Sequence, residues 1–224
     1  MGASPEILSL LISVAIGYLL GAIPLADRVS RRKGIDIFSI GTGLAGATNV
    51  RRNVGPKSAA VVVLGDAVKG MIAILAAKQM GIEGPWLFVP ATATVVGHWN
   101  SIFTRFKGGD GLVVLGGICL VVFSPFPVGN LIAVLAVLVG IAVALGGQKL
   151  PYTSLLCIFS GYGIVIVLTY LMNPGEMNTV LAIGTLALIV FGHAVLGHAR
   201  RNRSEESDDF TADGQAIENQ DGLA

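Results

Sequence analysis

Seven apolar stretches alternate with polar, glycine-rich or basic connections along this chain. They run about Ile7 to Ala26, Ser58 to Met80, Pro85 to His98, Gly111 to Ser124, Val128 to Gly146, Ser154 to Met172 and Thr179 to Gly197. A full bilayer crossing takes roughly 20 residues, with a range near 17 to 25. The third and fourth stretches fall short of that. They are expected to extend into their flanks, or to sit as broken helices around a cavity, where polar backbone is tolerated at membrane depth. The pattern predicts an all-α fold: a polytopic membrane helix bundle with about seven transmembrane helices.

Charge gives the bundle a direction, because cytoplasmic loops carry an excess of Lys and Arg. The connection after the first stretch holds Arg28, Arg31, Arg32, Lys33, Arg51, Arg52 and Lys57. Arg105 and Lys107 follow the third stretch, Lys149 the fifth, and Arg200, Arg201 and Arg203 the seventh. The intervening connections hold Glu83, no charge, and Glu176 in turn. This alternation predicts an outside N-terminus and a cytoplasmic C-terminus. Lys78, near the end of the second stretch, is placed to snorkel to the interface. No Lys or Arg precedes the first stretch, so it reads as an uncleaved span and not as a signal peptide.

Composition agrees with a membrane protein: 53% of residues are hydrophobic and 13% charged, against about a quarter charged in a soluble domain. Half of the acidic residues lie after Ser204, in a polar tail. The expected division is therefore a membrane domain over 1–200 and a disordered acidic cytoplasmic tail over 201–224. Cys119 and Cys157 both lie in apolar runs, which implies neither a disulfide frame nor a metal site. No cofactor, metal, nucleic acid or obligate protein partner is expected.

The chemistry-bearing residues gather in the polar connections and at two membrane depths. Gly41 to Gly55 is rich in glycine, hydroxyl and amide donors, and arginine. Gly41, Gly43 and Gly46 spell G-x-G-x-x-G, but the preceding segment is a membrane helix, so the dinucleotide-binding reading lacks its strand. Close glycine backbone with nearby cations suits a phosphate. Gly41, Thr42, Gly43, Gly46, Thr48, Asn49 and Arg52 are the candidates there. A second such connection, Arg105 to Gly111, supplies Lys107, Gly108 and Gly109 on the same membrane side. Asp66 and Lys69 stand three residues apart in the second stretch, on one face of a helix. Charges at that depth face a bundle interior or a wet cavity. They read either as a structural ion pair or as a lysine that reaches a substrate phosphate, held by the aspartate. His98 opens the second glycine-rich connection, and His193 lies near the cytoplasmic end of the last stretch.

Four blocks in this order resemble the bacterial PlsY-type acyltransferases. They are Gly21-Ala22-Ile23-Pro24, the run from Gly41 through Asn49 and Arg52 to Gly55, Gly65-Asp66-Ala67-Val68-Lys69-Gly70, and Gly97-His98 leading through Phe106-Lys107-Gly108-Gly109 to Gly111. The resemblance implies that a fatty acyl group moves from an acyl phosphate to the 1-hydroxyl of glycerol 3-phosphate, giving lysophosphatidic acid. Catalysis then rests on positioning and on positive charge, with no covalent enzyme intermediate and with the acceptor's own phosphate assisting proton removal. The implied partners are acyl phosphate, glycerol 3-phosphate and membrane lipid, at the cytoplasmic face of a bacterial plasma membrane. The implied catalytic residues are Lys69, His98 and Asp66. Ser154 resembles a family serine at the start of a late span, and His193 part of a C-terminal block.

The chain also departs from the family pattern. Ala22 stands for Ser, Phe38 for Arg, Leu44 and Leu196 for Asn, and Asp110 for Lys. Asp110 is expected to weaken phosphate binding most, since it reverses a charge. Two other readings follow from these departures and from the basic cavity: an acyltransferase-like paralogue with another acceptor or no activity, and an organic-anion carrier. No inverted repeat supports the carrier.

Overall fold

The computed structural model describes residues 5–124 and 153–195, with side chains from 162 onward in the second segment. The fifth apolar stretch, Lys149, Leu196, His198, the arginines from 200 onward and the polar tail lie outside the described residues.

The expectation of an all-helical membrane bundle holds among the described residues. Helices α1 (Ile7–Ala22), α2 (Leu25–Arg31), α3 (Ala47–Asn53), α4 (Pro56–Gln79), α5 (Phe88–Trp99), α6 (Leu112–Phe123) and α7 (Thr153–Met172) follow in order. α8 covers Pro174–Val195 and opens with a 3-10 turn. An antiparallel bridge between Ser101 and Lys107 is isolated from any strand.

The α4 helix shows why this is a membrane fold. Val61, Leu64, Val68, Ile72 and Leu75 recur on one face and are exposed. Val62, Asp66, Lys69, Ala73 and Ala77 recur on the other and are buried. A soluble helix has the reverse arrangement. Here the apolar face meets lipid and the charges turn inward, where ionisable side chains in a membrane are found. Ile7, Leu8 and Leu11 of α1, with Leu181 and Leu188 of α8, extend the exposed apolar surface.

The first apolar stretch is not one helix, as its run to Ala26 suggests. Pro24 has no N–H to donate and pushes the preceding residue out of the helical region. Ile23 accordingly sits at φ −59° and ψ 114°, and α1 ends at Ala22. The third stretch begins with a 3-10 turn over Gly84–Leu87 and becomes helical only at Phe88. The run from Gly41 to Gly55 is also not all loop, because α3 forms inside it.

Close backbone approach sets the position of the site. A methyl on Gly21 would overlap the Thr94 carbonyl, and one on Gly97 would overlap Tyr18. α1 and α5 therefore touch backbone to backbone, as small residues permit in membranes. The Tyr18 hydroxyl donates to the Asn100 carbonyl (2.9 Å) and the Ser101 hydroxyl to the Ala22 carbonyl (2.5 Å), which ties the two helix ends together. The main apolar core joins Ile74, Leu87, Val95, Ile118, Phe123 and Ile183 from α4, α5, α6, α8 and the turn before α5. A smaller cluster of Ile37, Ala45, Val50, Ala59 and Val62 fixes the glycine-rich connection onto α4.

Candidate active site

The broken end of α1 organises the site. A helix leaves its last four carbonyls without internal partners. At this end the Leu25 amide turns back to the Ile23 carbonyl, so the Gly21 carbonyl loses its helical donor. Lys69 supplies the replacement. Its ammonium donates to the Gly21 carbonyl (2.9 Å) and the Ile23 carbonyl (3.1 Å). A lysine at a helix C-terminus also meets the negative end of the helix dipole. The third contact is to His98 Nδ1, at 2.9 Å. An ammonium only donates, so Nδ1 accepts and the ring proton resides on Nε2. Lys69 thus fixes the tautomer of His98 while it holds α1, α4 and α5 together.

Asp66 Oδ1 lies 3.0 Å from Lys69 Nζ, and both side chains are about 95% buried. The shared face expected from their spacing is confirmed. All three Lys69 protons have protein acceptors, so the lysine of this ligand-free structure is a brace and not an open phosphate cation.

The two glycine-rich connections meet here. The Ala45 amide donates to the Gly108 carbonyl (3.0 Å), and the Gly109 amide to the His98 carbonyl (3.3 Å). A side chain on Gly109 would collide with His98 Nε2 and the Ala45 carbonyl. Glycine is required there for the imidazole to stand against the loop. The resulting cleft is tight, with a cavity volume of about 10 Å³, on the order of the room one water molecule needs. Its polar lining includes Asp66, His98, Ser101, Thr104 and Lys107, with Gly108, Gly109 and the Gly21–Pro24 corner. A wider vestibule of about 340 Å³ adjoins it through Phe38, Lys107, Gly108 and Gly109, and adds Gly43, Leu44, Trp99, Phe106 and His193. Trp99 stacks on His193 with ring centroids 4.2 Å apart. Lys107 is exposed at the junction, 5.7 Å from the Phe38 ring centroid.

The structure therefore brings Asp66, Lys69, His98, Lys107, Gly108, Gly109, Gly43 and His193 together. Other expected phosphate ligands lie outside both cavities. Asn49 is buried, and its amide donates to the carbonyls of Ile37 (3.1 Å), Ile40 (3.0 Å) and Leu44 (3.0 Å). It folds the connection and has no proton left for a ligand. Gly41 packs against the Asn49 and Asn53 side chains at φ 53°. Gly41, Thr42, Gly46, Thr48 and Arg52 line neither cleft, and Thr48 and Arg52 are exposed. Ser154 begins α7, and its side chain is not among those described.

Asp110 has structural partners of its own. Its carboxylate accepts from the Leu112 amide (3.2 Å), capping the start of α6, and its carbonyl accepts from Trp99 Nε1 (2.9 Å). A carboxylate at a helix N-terminus is stabilising. Lys78 does not snorkel outward either; it donates to the Val121 carbonyl at 3.1 Å, near the end of α6. The sequence reading missed Ala45 and Ser101 entirely. Neither residue type signals a site, although Ser101 stands beside the His98–Trp99 pair. Among the described residues no group of three His, Cys, Asp or Glu side chains is placed to hold a metal ion.

These features define a class: a membrane-embedded helical protein whose polar cleft is built at a proline-broken helix end, beneath two glycine-rich connections. The chain belongs to the glycerol-3-phosphate acyltransferase family, whose model matches residues 11–200. It is 38% identical over 131 residues to a glycerol-3-phosphate acyltransferase of Geobacter sulfurreducens, covering 58% of this chain and 66% of the relative. It is 33% identical over 176 residues to that of Geotalea daltonii, covering 79% and 86%. Among solved structures it resembles PlsY, an integral membrane glycerol 3-phosphate acyltransferase, in its glycerol 3-phosphate form. The TM-score is 0.63 at 27% identity, over 91% of this chain and 93% of that one. The lysophosphatidic acid form matches with the same TM-score and identity.

Proposed function

We propose that this protein transfers a fatty acyl group from an acyl phosphate to the 1-hydroxyl of glycerol 3-phosphate, giving lysophosphatidic acid and inorganic phosphate for phospholipid synthesis. The observation that carries the reading is the convergence of Asp66, Lys69, His98 and the Lys107–Gly109 loop on one cleft, in a chain of this family.

The hydroxyl oxygen forms a bond to the acyl carbon, the bond from that carbon to the phosphate oxygen breaks, and the hydroxyl proton ends on the released phosphate. The electron pair leaves with phosphate, a good leaving group, so no acyl-enzyme is needed. His98 Nε2–H, aimed at the cleft by the Lys69 contact, is suited to donate to the carbonyl oxygen as negative charge develops there. Lys107, exposed at the junction of cleft and vestibule, is suited to meet a phosphate. Phe38, Leu44, Trp99 and Phe106 give the vestibule an apolar wall suited to the acyl chain.

The finer arrangement belongs to the same proposal: seven spans, an outside N-terminus, a cytoplasmic active site in a bacterial plasma membrane, and a separate tail over 201–224. The alternation of basic connections supports it. The test is purified protein in detergent with acyl phosphate and labelled glycerol 3-phosphate. Labelled lysophosphatidic acid and inorganic phosphate are expected in equal amounts, with acyl-coenzyme A a far poorer donor. Absence of labelled lipid product refutes the reading.

A further inference from the structure

Asp66 is buried in the cleft with its bonding incomplete. Its one partner among the described residues is Lys69, whose Nζ lies 3.0 Å from Oδ1. The reason is visible in the neighbours. Lys69 directs its protons to the Gly21 and Ile23 carbonyls and to His98 Nδ1. The Ser101 hydroxyl donates to the Ala22 carbonyl, and the Thr104 hydroxyl to the carbonyls of Ser101 and Lys107. No polar side chain of the cleft donates to this carboxylate. An ionised carboxylate offers about four acceptor positions, and buried polar groups without partners are rare enough to call for an explanation. Two other buried hydroxyls lack partners, Ser30 and Thr169, and neither lines this cleft.

A carboxylate in that condition attracts a neutral donor and repels an anion. Glycerol 3-phosphate carries both, hydroxyls at one end and a phosphate at the other. We propose that Asp66 accepts the hydrogen bond of the acceptor's hydroxyl, so that the hydroxyl end enters the cleft and the phosphate end stays outward near Lys107. This rests on the acyltransferase reading given above and gives Asp66 a defined task, the selection of substrate orientation. Asp66 holds the hydroxyl while its oxygen attacks the acyl carbon. The proton leaves with the departing phosphate, so the carboxylate is unchanged over the cycle.

The test crosses a ligand change with a residue change. Binding of glycerol 3-phosphate and of n-propyl phosphate, which lacks both hydroxyls, is measured by calorimetry on the full chain in detergent. The proteins are the wild type, Asp66→Asn, and the double variant Asp66→Leu/Lys69→Met, which removes both buried charges together. In the wild type, glycerol 3-phosphate is expected to bind at least about tenfold tighter, the scale of a hydrogen bond to a charged group. That ratio is expected to fall below about threefold in both variants. A purely structural Asp66 would weaken both ligands alike and leave the ratio intact, which overturns the inference. A wild type that makes lysophosphatidic acid yet binds both ligands equally overturns it alone. A wild type that transfers no acyl group overturns the functional reading beneath it as well.

Discussion

Replacing Lys69 by methionine is the most informative single change in the bundle. The substitution keeps the length of the side chain and removes its charge. At 3.0 Å and an effective dielectric near 20, the attraction between Lys69 and Asp66 is about 5 kcal/mol before desolvation is set against it. Breaking a buried pair from one side costs roughly 3–5 kcal/mol, because the remaining charge is left uncompensated. The Gly21 and Ile23 carbonyls and His98 Nδ1 lose their donor in the same step. These losses overlap and do not add in full. The expected destabilisation is about 3–5 kcal/mol, which lowers the unfolding midpoint by on the order of 10 °C for a chain of this size. Acyl transfer is expected to disappear, because His98 loses the contact that fixes its tautomer. The control is Lys69→Met/Asp66→Asn, which removes the uncompensated charge and regains roughly half of the lost stability, with no recovery of turnover. Thermal unfolding in detergent and the lysophosphatidic acid assay read the two quantities separately. Wild-type stability with wild-type turnover in Lys69→Met would refute the bracing argument. Equal instability in the single and double variants would show that the carbonyl contacts, and not the charge pair, dominate.

Other substitutions separate structural from ligand-facing residues. Asp110→Ala removes the α6 cap and is expected to cost about 1 kcal/mol, whereas Asp110→Asn keeps an acceptor and stays near wild type in thermal unfolding. Asp110→Lys is expected to destabilise without lowering the Michaelis constant for glycerol 3-phosphate; a tenfold fall in that constant would return Asp110 to the phosphate site. Gly109→Ala forces a methyl onto the His98 ring and is expected to lower kcat by about 100-fold or more, since misplacement near 1 Å costs on that scale; unchanged turnover would show that the loop adapts. Asn49→Ala leaves three carbonyls short of a donor and is expected to cost about 2 kcal/mol, a loss that shows in unfolding before it shows in substrate affinity. In a cysteine-free background, external thiol labelling is expected at Glu83→Cys and Glu176→Cys and not at Arg32→Cys, and the reverse pattern would invert the topology.

Hydropathy placed α4, α7 and α8 because a membrane enforces long apolar runs, and that constraint is written locally in the chain. The same was true of Asp66 and Lys69, whose spacing alone puts them on one face. What spacing does not carry is the direction of a polar side chain. Asn49 sits among donors and cations and reads as a ligand contact, yet its amide points into its own loop and holds the carbonyls of Ile37, Ile40 and Leu44. Asp110 reads as a reversed charge, yet it caps a helix whose start had to be known first. Ser101 and Ala45 become visible only when α1 and α5 are brought together by glycine contacts distant in sequence. The break at Pro24 was legible from the residue itself, but the apolar run to Ala26 hid it.

That break explains why the polar groups of this bundle are where they are. A proline-interrupted helix end inside a membrane protein exposes carbonyls that no water satisfies, and each unpaired group is costly there. Gly21 and Ala22 present two such carbonyls in succession, answered by Lys69 and Ser101, and Lys69 adds a second donor to the Ile23 carbonyl that the Leu25 amide already reaches. Lys69 therefore has a structural reason to be charged and buried that is independent of any substrate. Its charge in turn requires Asp66, and its third proton fixes His98. His98 and the Asp66 carboxylate are thus held by bonds that the fold needs anyway. Geometry set in this way needs no substrate to assemble it, which is what preorganised catalysis by positioning demands. It also predicts that no change at Lys69, Ser101 or Pro24 will alter activity without altering stability, whereas Lys107, exposed at the mouth and with an ammonium that donates to no backbone carbonyl, can be changed with a loss confined to substrate binding and turnover.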